Sequence, residues 1–197
     1  MRPRRFQPTA RRLDQGTGRV SSRSIVPVSR ELFRAISSSF PTGVVIVATL
    51  DERGEPKGLT SQAYVGLSTE PPLMLVAIDR TSRTLPAMRK HRAFVINFLK
   101  EDAEDVATLF ASKSEEKFRN LRWEPSPEAG GAPILRDLSL AYAACRVTEE
   151  YEAGDHIIFV GSVEAGETFG GTPLMYYKRA YAAWPEERPA PPVEQAR

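Results

Sequence analysis

The pattern of apolar and polar residues becomes regular at Val28 and predicts a helix followed by a strand. Ser29 is a residue type favoured at a helix N-cap, and Val28 is placed to pack on Phe33 one turn inside. Apolar side chains then recur at helical spacing, at Leu32, Phe33, Ile36 and Phe40. The β-branched run Val44–Leu50 predicts a strand, and Asp51-Glu52-Arg53-Gly54 supplies the turn that ends it.

Further β-branched and aromatic runs, bounded by turn residues, predict a fold made mostly of strands. Strands are predicted at about 44–50, 57–67, 73–78, 93–99, 138–151, 156–164 and 174–177, and helices at 84–91 and 102–111. Six or seven strands, mostly linked by hairpins, predict a mainly β (α+β) fold: an antiparallel barrel with peripheral helices. No GxGxxG motif follows a strand and opens a helix, and no Walker A loop is present, so the sequence evidence for the two common nucleotide-binding folds is missing.

Composition limits the class of protein. The 197 residues are 41% hydrophobic, which suits one domain with a single core. No apolar run approaches the roughly 18 residues that a membrane span needs. With one cysteine, Cys145, the chain has no internal disulfide framework. We therefore expect a cytoplasmic protein without a membrane segment.

The charge is distributed unevenly, and this predicts where the folded part begins. Residues 1–30 contain eight arginines and one acid, Asp14. Residues 1–27 lack apolar periodicity and are expected to be a disordered Arg-rich tail. Residues 28–184 are expected to fold, and the Pro-rich residues 185–197 to form a second tail. The first tail has no Lys and no aromatic residue beyond Phe6, so we predict no nucleic-acid partner.

The side chains do not form a self-sufficient catalytic set. No serine lies in a GxSxG elbow, and the two histidines, His91 and His156, have no second His or Cys at metal-ligand spacing. No metal site is predicted, and Cys145, between Ala144 and Arg146 in a strand, is expected to be a buried thiol. A bound cofactor is the simplest source of chemistry.

Three segments are suited to holding an anionic, planar cofactor. The segment 79–84 lies between a strand and a helix and offers backbone N–H groups, hydroxyls and two arginines to a phosphate. The segment 58–64 is small and polar, and Gly58 would let a ligand approach the backbone. Gly154-Asp155-His156 opens an apolar strand. Each also has a purely structural interpretation: a helix cap, an edge strand and a solvent-facing histidine.

Taken together and in order, these segments resemble the flavin reductase family of FMN-binding split barrels, the small reductase components of two-component flavin-dependent monooxygenases. The resemblance spans about residues 30–182. It is carried by Phe33-Arg34, Phe40-Pro41-Thr42-Gly43-Val44, Gly58-Leu59-Thr60, Leu67-Ser68, Pro71-Pro72-Leu73, Ser82-Arg83-Thr84, Phe94-Val95-Ile96-Asn97, Phe110-Ala111, Lys117-Phe118, Gly154-Asp155-His156 with Gly161, Pro173-Leu174 and Tyr176-Tyr177.

The resemblance implies an NAD(P)H:flavin oxidoreductase that passes a hydride from NADH or NADPH to FMN or FAD and supplies a partner monooxygenase. It places Thr60, Ser61, Gln62 and Ala63 along the flavin ring and Ser82, Arg83 and Thr84 at its phosphate, with Lys117 as a second cation. His156 would lie beside the nicotinamide, with Tyr177 as a further candidate there. A homodimeric split barrel is also implied.

The sequence departs from the family pattern at two places. Gln62-Ala63 stands where relatives commonly carry Asn-Ser, and Gly66 where they often carry Ser. A flavin-binding or flavin-carrying protein without NAD(P)H reductase activity is therefore the alternative function. A different split-barrel oxidoreductase, resembling pyridoxamine-phosphate oxidases, is disfavoured by Gly154-Asp155-His156 and by Pro173-Leu174 with Tyr176-Tyr177.

Overall fold

A computed structural model describes residues 28–185. The two predicted tails, 1–27 and 185–197, lie outside the described residues, with the exception of residue 185. The helices are α1 (Arg30–Ser38), α2 (Thr84–His91) and α3 (Glu104–Ala111). Ser29 caps α1 as expected, its Oγ accepting from the Leu32 N–H at 3.2 Å. Val28 and Phe33, expected to pack on each other, are each more than half exposed.

Antiparallel strands make up most of the fold. They are β1 (Thr42–Gly43), β2 (Val45–Leu50), β3 (Pro56–Ser61), β4 (Tyr64–Thr69), β5 (Pro72–Asp79), β6 (Ala93–Leu99), β7 (Glu124–Ser126), β8 (Ala132–Ile134), β9 (Ser139–Ala153), β10 (His156–Thr168), β11 (Leu174–Tyr177) and β12 (Ala180–Ala183). The main sheet has seven strands in the order β3-β2-β6-β9-β10-β5-β4. Strands β1, β11 and β12 form a small second sheet, and β7 pairs with β8. The predicted antiparallel, mainly β fold is confirmed.

The single strand predicted at 57–67 is wrong, and the break within it shapes the site. The chain turns at Gln62-Ala63, where the Ser61 Oγ accepts from the Ala63 N–H at 3.0 Å. Before the turn, β3 pairs with β2; after it, β4 pairs with β5. Strands β3 and β4 therefore lie at opposite edges of the seven-stranded sheet, although only two residues separate them.

The core explains why several strands have continuous apolar sequences. In β2, Val45 and Val47 enter one buried cluster, whereas Ile46 and Ala48 enter another on the opposite face. A sheet covered on both faces needs apolar residues at every position of its central strands. Four residues from the segments that carry the resemblance are buried: Phe94, Asn97, Phe110 and Phe118.

The remaining differences from the sequence-based elements are local. The helix expected from 102 begins at Glu104, after one 3₁₀ turn over Glu101–Ala103. The sequence pattern did not predict the β7–β8 hairpin, nor the strand β12 that follows β11. In the turn between β9 and β10, Gly154 has a φ of 61°, a value that glycine adopts without the strain of a Cβ.

Candidate functional site

Two cavities meet where β3 ends. The first, about 290 Å³, lies between β3, the loop before α2 and the loop after α3. The second, about 360 Å³, lies at the Gln62-Ala63 turn beside His156. Four residues line both cavities: Leu59, Thr60, Asp79 and Ala111. Because small-molecule sites commonly occupy about 300–1,000 Å³, the joined cavities are large enough for one elongated ligand.

The loop before α2 brings Arg83 to the first cavity. Asp79 ends β5, and its carboxylate accepts from both the backbone N–H and the hydroxyl of Thr81, at 2.6 Å each. Both hydrogen bonds lower the pKa of Asp79, and the one from the Thr81 hydroxyl has the larger effect. Arg83 reaches the loop after α3, where its Nη1 donates to the Lys113 carbonyl at 2.7 Å and to the Glu115 carboxylate.

Lys117 adds a second cation to this cavity. Its Nζ donates to the carbonyls of Phe110 at 2.7 Å and Gly58 at 3.2 Å, which holds the ammonium against β3. Burial is the main cause that lowers the pKa of Lys117; the charge of Arg83 lowers it further, and Glu115 opposes this. The lining side chains include four cations and two carboxylates: Lys57, Arg83, Lys113, Lys117, Asp79 and Glu115. The excess of positive charge favours an anionic ligand.

The structure differs from two details of the expected cofactor site. A Cβ at Gly58 would lie 2.9 Å from Phe110 Cε1, so an aromatic ring occupies the space that the sequence interpretation left for a ligand. The backbone N–H groups of Thr81, Ser82, Thr84 and Leu85 already have acceptors within the loop. Among the described residues, the N–H of Arg83 has no such acceptor. A phosphate here would depend chiefly on side chains.

The second cavity is built on the end of β3. Thr60 donates through its hydroxyl to the Ala107 carbonyl of α3 at 2.6 Å, which fixes the strand to the helix. Ser61 is buried, and its hydroxyl holds the turn. Gln62 and Ala63 are exposed at the turn and, with Thr60 and Ser61, line the cavity. The structure therefore brings together the four residues expected along a planar ring.

His156 lies at the other side of the same cavity. It is the first residue of β10, where it is paired with Asp79 of β5. Its Nδ1 lies 2.7 Å from Asp155 Oδ1, and this hydrogen bond is the main cause of the lowered pKa of Asp155. Arg80 secures the turn below it, donating through Nε to the Gly154 carbonyl at 2.9 Å. Nε2 of His156 is thus the ring nitrogen left for a ligand.

Tyr177 lies apart from these cavities, and its neighbour Tyr176 lines the second one. Successive residues of a strand point to opposite faces, so Tyr176 and Tyr177 of β11 cannot both face the cavity. Tyr181 of β12 packs on Tyr176 with ring centroids 5.0 Å apart and also lines the cavity. Sequence reasoning missed Tyr176, Tyr181 and Glu115; only the strand register and the loop path select them.

The joined cavities fit an elongated cofactor with an anionic end and a planar end. The first cavity supplies Arg83 and Lys117; the second supplies backbone and small side chains of β3 on one side and an oriented imidazole on the other. Among the described residues that line these cavities, no pair of side chains forms a nucleophile and base. Such a site binds and orients a reactive group that the ligand brings with it.

Comparison with known proteins identifies the family. The family model described as the flavin reductase like domain matches residues 37–185. The chain belongs to this family. It is 43% identical over 162 residues to a flavin reductase (NADH) of Kitasatospora aureofaciens, covering 81% of this chain and 84% of that protein. It is 36% identical to a flavin reductase (NADPH) of Lentzea aerocolonigenes, covering 78% and 89%.

A solved relative supports the flavin reductase-like fold. The structure of nitrilotriacetate monooxygenase component B from Mycobacterium thermoresistibile matches with a TM-score of 0.75 and 32% identity, over 84% of this chain and 93% of that one. The predicted family and fold class are confirmed. Helices long and apolar enough to cross a membrane are absent from residues 28–185.

Proposed function

We propose that this chain is an NAD(P)H:flavin oxidoreductase whose two joined cavities hold the flavin. The sequence-based prediction of this activity, with flavin and a reduced nicotinamide as cofactors, is confirmed by the family and by relatives named flavin reductase (NADH) and flavin reductase (NADPH). The observation that carries the assignment of the site is the continuity of a cationic cavity with one that faces His156.

The proposed roles follow from these surroundings. A bound flavin supplies the hydride acceptor and the nicotinamide supplies the hydride. Ser82, Arg83, Thr84 and Lys117 would bind the flavin phosphate. Thr60, Ser61, Gln62 and Ala63 would support the ring, and His156, oriented by Asp155, would position the nicotinamide. Because the reaction depends on stacking two planar groups at close distance, orientation is the main contribution expected of the protein.

The test is anaerobic stopped-flow reduction of FMN and of FAD by NADH and NADPH, with catalytic amounts of protein. Loss of the flavin absorbance with any pair of flavin and nucleotide establishes the reductase activity. The pairs that react identify the preferred flavin and the preferred nucleotide. If flavin binds but neither nucleotide reduces it, the reductase assignment is refuted and the flavin-carrier alternative stands.

A homodimer is part of the proposal. The outward face of α1 exposes Leu32 and Ile36, at 50% and 57%, and edge strand β4 exposes Val65 and Leu67, at 50% and 47%. Apolar patches on an edge strand and a helix favour association with a second copy. Gel filtration with light scattering should give the mass of a dimer, and Ile36→Glu should give a monomer; a wild-type monomer at micromolar concentration would refute it.

Delivery of the reduced flavin to a monooxygenase is the proposed role of the activity, supported by the similarity to a monooxygenase component B. We propose a cytoplasmic location, because the single thiol, Cys145, is buried and unpaired. Reduced flavin that leaves the protein, measured by its reoxidation in the filtrate after anaerobic ultrafiltration, would support delivery; flavin retained wholly on the protein would contradict it.

A further inference from the structure

Helix α1 exposes its apolar face to solvent, whereas an amphipathic surface helix usually packs that face against the core. Its apolar residues Leu32 and Ile36 face outward, and no residue of the helix is buried. The side of α1 that carries Glu31, Arg34 and Ser38 faces the β11–β12 hairpin. Together with Phe33 and Phe40 it encloses a third cavity of about 710 Å³. Glu31, Arg34 and Ser37 remain exposed in the wall of this cavity, so their polar groups are available to a polar ligand.

The cavity between α1 and the hairpin is cationic. Arg34 projects from α1, and Lys178 and Arg179 occupy the tip of the hairpin. Within the described part of the chain, Glu31 is the one acidic residue among those that line it. Within residues 28–185, none of the three cations forms a salt bridge; Lys178 instead lies 5.1 Å above the ring of Tyr177. An excess of unneutralised positive charge at a concave surface attracts an anion.

The hairpin tip carries these cations in a strained backbone. Lys178 and Arg179 both have positive φ values, 47° and 69°, in a two-residue turn where Asn-Gly is preferred. The Lys178 N–H donates to the Ser38 carbonyl at 3.2 Å, which attaches the tip to the end of α1. Residues kept in this region tend to occur at ligand-binding sites, where the side chain is needed despite the strain.

The third cavity continues from the second. Gln62 and Tyr176 line both, so the space beside His156 opens directly toward the hairpin tip. A nicotinamide ring held by His156 carries its ribose and phosphates away from the ring. The first cavity, with Arg83 and Lys117, lies at the other end of the site.

We propose that Arg34, Lys178 and Arg179 bind the phosphate groups of the nicotinamide nucleotide. This assignment rests on the proposed function, because it takes the nicotinamide to lie beside His156. The shared chemistry is a phosphate: the pyrophosphate, present in NADH and NADPH, or the 2′-phosphate, present in NADPH alone. Arginine and lysine at a concave surface suit either group.

The first test measures binding without turnover. ADP and adenosine 2′,5′-bisphosphate are titrated calorimetrically into wild type, into Lys178→Gln with Arg179→Gln, and into Arg30→Gln as the control. Arg30 lies on α1 one turn before Arg34 but does not line the cavity. The double variant is expected to bind one or both probes about 10-fold or more weakly, since two charge-assisted contacts are lost. The control should bind as wild type does.

The choice of probe identifies the phosphate. Weaker binding of ADP assigns the cations to the pyrophosphate, and weaker binding of the bisphosphate alone assigns them to the 2′-phosphate. Unchanged binding of both probes by the double variant overturns the proposal. The proposal is also overturned if the double variant no longer has the mass of a dimer but binds both probes as wild type does. Wild type that binds the probes yet reduces no flavin would refute the proposed function and leave the cations as a binding site for a nucleotide phosphate.

A second variant separates binding from folding. Lys178→Asn with Arg179→Gly installs the residues that this turn prefers, so it is expected to raise Tm while losing the same nucleotide affinity. In anaerobic stopped flow, the Kd for the nucleotide should rise about 10-fold or more, with the limiting rate and the flavin Kd within twofold of wild type. A raised Tm with unchanged nucleotide affinity would refute the proposed role of the cations.

Discussion

Glu115 competes with the flavin phosphate for Arg83, and neutralising it should tighten flavin binding. In the structure, the Arg83 guanidinium donates to the Glu115 carboxylate at the first cavity. A phosphate bound by Arg83 would therefore lie within a few ångströms of a second negative charge. Glu115→Gln keeps the size and a hydrogen-bonding oxygen while it removes that charge.

The magnitude follows from the exposure of the pair. The side chains of Arg83 and Glu115 are 57% and 68% exposed, so water screens them and a dielectric constant near about 80 applies. Two unit charges about 5 Å apart then repel by about 0.8 kcal/mol. A phosphate with a charge near −2 doubles this value to about 1.6 kcal/mol, which corresponds to an affinity roughly 15-fold higher for FMN.

Fluorescence titration of FMN measures the effect at two salt concentrations. The gain should be largest at about 0.05 M salt and should shrink at about 0.5 M, because ions screen charges at this distance. Glu116→Gln is the matched control: Glu116 pairs with Arg119 at 2.8 Å and does not line the first cavity. Unchanged or weaker FMN binding by Glu115→Gln at low salt would show that the carboxylate orders the loop rather than competes.

Three further predictions concern the nicotinamide side and the core. His156→Ala should slow flavin reduction by NADH roughly 10- to 100-fold with flavin Kd within threefold, since only positioning is lost; an equal loss of flavin binding would contradict its placement. Gly161→Ala would put a Cβ 2.9 Å from Phe94 Cζ and should lower the free energy of unfolding by about 1–3 kcal/mol in urea, whereas Gly66→Ala, with open space, should not. Burial raises the pKa of Cys145 to about 12, so native protein should resist alkylation at pH 8. The folded state favours the thiol form. The free energy of unfolding, compared with that of Cys145→Ala, should therefore be constant below the ordinary pKa of 9.0 and fall as pH rises toward 12. Unfolding free energies that depend on pH in the same way in both proteins would refute this.

Local patterns predicted most elements well. Helix 84–91 and strand 93–99 were predicted at their observed bounds, because a short amphipathic helix and a buried β-branched strand each have a strong local signature. The strand at 57–67 failed for a physical reason. No Pro, Asn, Asp or Gly stands at Gln62-Ala63 to mark a turn. The turn is held by the Ser61 hydroxyl and by the pairing of β4 with β5, which is a tertiary contact.

The sequence by itself determined the mainly antiparallel β fold, the family resemblance and the residues offered to the phosphate and ring, since these depend on residue type and short-range spacing. Tertiary structure decided which of them share a cavity. Strand register selects Tyr176 over Tyr177, and the path of the loop after α3 brings Glu115 to Arg83. It also turned the side of α1 that carries Arg34 toward Lys178 and Arg179. These contacts join residues far apart in the chain, and local spacing carries no information about which distant surfaces meet when the core closes.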